Sequence, residues 1–170
     1  MKATRLIVVA LCVSLAACAD HTPTAAPQAP QASLVGSLGS ATGLLKCSDL
    51  PFAQSTATIG PDGGSISAGP HTLTIPAGAL SEPVTITMTA PRGRGINAVE
   101  FAPEGLQFDS PASLTMSYAN CNLLGKLLPK RIAYVSDNLD ILYYILSLDN
   151  IFAKRVTGQV RHFSDYVVAW

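Results

Sequence analysis

Val84-Thr85-Ile86-Thr87-Met88-Thr89-Ala90 alternates apolar and hydroxyl side chains without a break. In an extended chain successive side chains point to opposite faces, so Val84, Ile86 and Met88 share one face and Thr85, Thr87 and Thr89 the other. A helix would scatter the same residues around its circumference. The stretch therefore predicts a strand with one buried face. Residues 112–118 repeat the pattern, with Leu114, Met116 and Tyr118 opposed to Ser113, Thr115 and Ser117.

Outward from these two segments, further strands are predicted at residues 71–75, 98–101, 131–136, 141–146, 155–160 and 166–170, with only residues 147–154 reading as a helical turn. Gly, Pro, Asp and Asn punctuate the intervals, most densely at Gly60-Pro61-Asp62-Gly63-Gly64, where several positions can take φ > 0. Short strands between such turns predict an all-β fold, a single antiparallel β-sandwich over residues 44–170.

Composition agrees. The 170 residues are 48% apolar, 6% aromatic and 13% charged, about half the roughly 25% charge of ordinary soluble domains. Thr and Ser on the outer strand faces account for this without any binding role. Eleven Lys and Arg balance eleven Asp and Glu. A surface built for nucleic acid carries a basic excess, so no nucleic-acid partner is expected.

Residues 1–17 carry the three parts of a secretory leader. Lys2 and Arg5 are the positive start, residues 6–15 an apolar run, and Ala16-Ala17 small residues before Cys18. The run falls short of the roughly 20 residues that cross a bilayer core of about 30 Å. Leu15-Ala16-Ala17-Cys18 resembles the lipobox of bacterial lipoproteins. That resemblance implies lipidation of the Cys18 thiol, cleavage before it, and a membrane partner reached through the N-terminal lipid. Several acyl chains, at about 0.8 kcal/mol per buried methylene, exceed the requirement for stable anchoring. Ala19 directly after the cysteine implies the outer membrane in the Gram-negative sorting scheme. Loss of the leader removes Lys2 and Arg5, leaving nine positive against eleven negative charges. Residues 18–43, rich in Ala, Pro, Gln, Ser, Thr and Gly, read as a flexible tether with a mean reach of about 25–30 Å.

Within the domain, Gly63-Gly64, Leu73-Thr74-Ile75-Pro76-Ala77-Gly78-Ala79-Leu80, Val84-Thr85-Ile86, Phe101-Ala102-Pro103-Glu104-Gly105-Leu106-Gln107-Phe108, Pro111-Ala112-Ser113-Leu114-Thr115 and His162-Phe163-Ser164-Asp165-Tyr166 follow in order. Together they resemble the ZU-five domain, the β-sandwich module of ankyrins, netrin receptors and zonula occludens proteins. The residues themselves fit such a fold. Pro76 ends a strand by removing a ladder donor, Gly78 permits a tight turn, Pro103 and Gly105 bracket a second corner, and Leu106 and Phe108 plug the sandwich.

Of four cysteines, Cys12 lies in the leader and Cys18 at the anchor, leaving Cys47 and Cys121. An oxidising compartment favours a disulfide between them. Closing a loop of about 75 residues would stabilise the fold by roughly 4 kcal/mol. Two free thiols are the alternative.

Signs of an active site are sparse. His21 and His71 read as surface residues. No His-x-x-x-His, Gly-x-Ser-x-Gly or phosphate-binding glycine loop occurs, and Asp137, Asp140 and Asp149 lack the spacing of a calcium loop. Neither a cofactor nor a metal is expected. His162-Phe163-Ser164 resembles the point at which some relatives with this domain cleave themselves between Phe and Ser. That resemblance implies His162 as base and Ser164 as nucleophile on the Phe163 carbonyl, a step needing a strained, activated peptide. The plainer reading makes the three residues the start of the last strand. The leading expectation is thus a non-enzymatic envelope module that binds a protein partner or serves a structural role, through a sheet edge or loops such as Arg92-Gly93-Arg94-Gly95. Self-cleavage and glycan binding are the alternatives. Glycan binding would require several of Tyr118, Tyr134, Tyr143, Tyr144 and Tyr166 to form one exposed aromatic platform.

Overall fold

The computed structural model describes residues 43–123 and 127–170, all within the unit Ser33–Trp170. The leader expected over residues 1–17, the lipidation expected at Cys18 and all but Gly43 of the expected tether fall outside the described residues.

Among the described residues eleven strands form: β1 (Ala53–Ile59), β2 (Gly64–Ala68), β3 (His71–Ile75), β4 (Val84–Ala90), β5 (Ala98–Ala102), β6 (Gln107–Ser117), β7 (Arg131–Val135), β8 (Ile141–Tyr144), β9 (Ser147–Asn150), β10 (Arg155–His162) and β11 (Asp165–Ala169). There is no helix among the described residues. The strands make two antiparallel sheets, one of order β1-β4-β5-β11-β7-β8 and one of order β2-β3-β6-β10-β9. The fold is an all-β sandwich. Residues 147–154, read from sequence as a helical turn, instead form β9 and the turn that follows it. Pairing with β10 supplies the backbone partners that a lone helical turn would leave open.

Alternation sets the faces. β4 buries Ile86, Met88 and Ala90. Its outward Thr85 and Thr87 pair with Thr58 and Thr56 of β1, hydroxyl to hydroxyl at 3.0 Å. β6 buries Leu114 and Met116 against them from the opposite sheet. β11 is buried on both faces. Tyr166 and Val168 enter the inter-sheet core, whereas Val167 and Ala169 join Leu44, Ala98, Ala133 and Val135 in a second cluster. This explains why residues 166–169 read as a continuous apolar run rather than an alternation.

His71 corrects a sequence expectation. Instead of a surface position it occupies the inward face of β3 with Leu73 and Ile75, only 1% exposed. Its Nδ1 accepts a hydrogen bond from the Ser117 amide at 3.2 Å. Burial, and secondarily the Arg155 charge, lower its pKa to about 4.

The corners behave as the residues dictate. Gly63 sits at φ 75° with a would-be Cβ 2.5 Å from the Ile75 carbonyl oxygen, so only glycine fits there. The Ala102–Pro103 peptide is cis and Gly105 has φ 73°. Beyond that corner, Phe108 packs edge-on to Phe163, with ring centres 5.2 Å apart.

Candidate functional site

The β5–β11–β7 order brings residues from distant parts of the chain to one side of the six-stranded sheet. There a groove of about 720 Å³ is lined by Gln54 and Thr87 from β1 and β4, Glu100 from β5, Tyr134 from β7 and Leu142 from β8, with Ser164 and Asp165 at the start of β11. Glu104 and Asp137 bring the carboxylates of the lining to four. Arg94 is the basic member, and its Nη2 donates to Glu100 Oε1 at 2.6 Å. The Arg92–Gly95 loop, named from sequence as a contact surface for a partner, thus has one of its two arginines held in an ion pair. Burial raises the Asp165 pKa above the usual carboxylate range, and Glu100, Asp137 and Glu104 add to the rise while Arg94 opposes it.

The His162-Phe163-Ser164 string ends β10 and enters β11, and its three side chains diverge. Phe163 is buried and stacks on Phe101 with ring centres 4.7 Å apart. Ser164 lines the groove. The His162 ring meets the Tyr134 ring edge-on at 5.3 Å. Among the described residues no hydrogen bond joins the His162 ring to the Ser164 hydroxyl. Phe163 donates its amide to Leu106 O at 2.8 Å, and its carbonyl accepts from the Gly105 amide at 3.2 Å. His162 Nδ1 lies 3.4 Å from that same carbonyl oxygen. Tyr166 then donates its hydroxyl to His162 O at 2.7 Å, a lock of the kind that tyrosine corners supply in β-sandwiches. The chemistry this permits is polarisation of the Phe163 carbonyl by the Gly105 N–H.

At the opposite end of β5, Cys47 and Cys121 are joined by a disulfide of S–S length 2.03 Å. The two segments are also bonded through their backbones, Ser48 N–H to Asn120 O at 3.0 Å and Asn122 N–H to Lys46 O at 2.8 Å. Asn97 and Asn120 exchange side-chain hydrogen bonds at 2.7 and 3.0 Å, and Asn97 also donates to Ser117 O at 2.7 Å. This network fixes the chain entering the domain to β5 and to the end of β6.

Of the tyrosines, Tyr118 and Tyr166 are buried, Tyr134 and Tyr144 are half-buried, and only Tyr143 is exposed. They do not form one platform. Sequence reasoning singled out Ser164 and the Arg92–Gly95 loop but missed Glu100, Glu104 and Asp165 as their neighbours, because only the strand order brings them together. No group of three or more His, Cys, Asp or Glu side chains is arranged to hold a metal among the described residues.

No family model matches the chain, and no curated protein matches it.

Proposed function

We propose that the protein is a lipid-anchored module of the cell envelope that recognises a protein partner rather than turning over a substrate. The observation that carries this reading is the Cys47–Cys121 disulfide, a bond that persists in oxidising compartments, in a chain whose first residues have the pattern of a secretory leader and a lipobox-like tetrad ending at Cys18. The resemblance to ZU-five domains, which are interaction modules, supports the same conclusion. So does β1, which stands at the edge of its sheet as seven residues without charge, proline or bulge. Such an edge invites strand addition by a partner. The test is incorporation of labelled palmitate into cells expressing the chain. Label should enter the wild-type protein, vanish in Cys18→Ala, and processing should stop with globomycin. Label that is absent from wild type, or that persists without Cys18, refutes the anchor.

A second reading, self-cleavage between Phe163 and Ser164, draws on the Gly105 amide and the His162 ring converging on the Phe163 carbonyl. Scission would leave β11 held by its pairing to β5 and β7, so a native gel would miss it. Mass spectrometry of the denatured mature chain decides: loss of residues 164–170 establishes self-cleavage, and an intact chain removes it.

A further inference from the structure

The large apolar side chains that stand exposed among the described residues are, apart from Phe52, all confined to residues 127–152. Six of them, Leu127, Leu128, Leu146, Leu148, Ile151 and Phe152, gather along one margin of the sandwich, where β8 passes into β9. The backbone brings them together. Ile145 N–H donates to Ile132 O at 3.0 Å, holding the β8–β9 link beside the start of β7, and Lys130 N–H donates to Asp149 Oδ2 at 2.8 Å, drawing residues 127–130 alongside β9. Leu127 is 99% and Phe152 94% exposed. Single exposed apolar residues are ordinary on soluble proteins, but a concentration of this kind marks a contact surface.

Two further observations say what covers it. Exposed Arg131, Lys154 and Arg155 flank the apolar residues, whereas the nearby Asp149 carboxylate is engaged by the Tyr118 hydroxyl and the Lys130 amide. An apolar ridge flanked by cations suits an anionic lipid surface, since basic heads reach the phosphates while apolar chains enter the acyl boundary. A second copy docked symmetrically would instead bring these cations near their own counterparts. The chain also enters the domain at this margin. Gly43 O accepts from the Trp170 amide at 2.9 Å, and a Cβ on Gly43 would lie 2.8 Å from the Tyr144 hydroxyl at the end of β8. Arg131 lies over that same Tyr144 ring at 5.4 Å.

We propose that this margin rests on the surface of the bilayer that receives the anchor, fixing the orientation of the domain and leaving the β1 edge, at the opposite end of the sheet, turned away from the lipid. The proposal relies on the anchor reading for the nearness of the bilayer, since a tether of about 25 residues makes even a weak second contact effective.

The test uses the full acylated chain in vesicles of phosphatidylethanolamine and phosphatidylglycerol, with or without brominated acyl chains, at saturating lipid. Phe152→Trp should lose about half its added emission to the bromines, while Phe52→Trp should lose none. Absence of Phe152→Trp quenching, or equal quenching of both variants, overturns the proposal. So does a Phe152→Trp emission shift without quenching, accompanied by cross-linking to a second copy. Flotation of wild type against Cys18→Ala reports the anchor separately. Flotation without quenching rejects this contact and keeps the anchor. Quenching that survives in Cys18→Ala keeps the contact with the anchor gone.

Discussion

Protonation of His71 removes the lone pair that accepts the Ser117 amide and places a charge in the core. Its folded pKa of about 4 lies below the unfolded value of 6.5, so the fold binds the neutral ring. Its contribution is fully present above pH 6.5 and is lost as pH falls toward 4, a swing of roughly 3 kcal/mol. Urea midpoints should therefore drop between pH 7 and pH 4.5, and His71→Gln should flatten the curve over that window. An unchanged slope in the variant would place the acid sensitivity elsewhere. Tyr118 offers a second test at this scale. Its hydroxyl donates to Asp149 Oδ1 at 2.6 Å, and burial, then Asp149, push its pKa up. Tyr118→Phe should cost about 1–3 kcal/mol and speed amide exchange in β9 before the rest of the sheet. At Gly63, an alanine would meet the Ile75 carbonyl in a left-handed conformation. Gly63→Ala should lower stability by about 1–3 kcal/mol, read as a shift in thermal midpoint.

Among the elements, legibility followed the size of the alternating side chains. β3 and β4 were readable to their end residues because His71, Leu73, Ile75, Val84, Ile86 and Met88 alternate with threonines. The same alternation could have placed His71 inside, had its polarity not outweighed its register. β1 and β2 were missed because Ile59 and Ile66 are their only large apolar residues, the remainder being Gly, Ala, Ser, Thr and Gln. β9 was missed because it has four residues and its Leu148 points outward. β6 begins five residues earlier than its clean alternation, running through Pro111, where the register against β10 shifts and no ladder donor is required. The candidate groove was least legible. Ser164 stood out in the sequence, but its meeting with Glu100 and Asp137 depends on β11 inserting between β5 and β7, which no local pattern encodes. β1 carries the prediction proper to this scale. Thr56→Pro should abolish capture of a strand-adding partner while a disulfide-intact core remains detectable by near-ultraviolet circular dichroism. Retained capture would move recognition away from that edge.

For the molecule as a whole, the disulfide ties the entry of the domain to the end of β6 across 74 residues. Replacing both partners, Cys47→Ala with Cys121→Ala, should cost roughly 4 kcal/mol, and a reductant should lower the wild-type melting temperature but not that of the double variant. The two sheets then share one core, with Phe101, Phe108, Phe163 and Tyr166 meeting at its centre.

β11 has one more consequence. It is the latest of the strands in chain order, yet it lies in the interior of its sheet, joined to β5 on one side and β7 on the other. Until residues 165–169 arrive, the partial sheets β1-β4-β5 and β7-β8 have no backbone ladder between them. A chain that emerges N-terminus first would thus stay slack, and would click shut only once residues 165–169 had followed. A stop codon shortly before Asp165 should yield a polypeptide that proteases clear, not a slightly weakened domain.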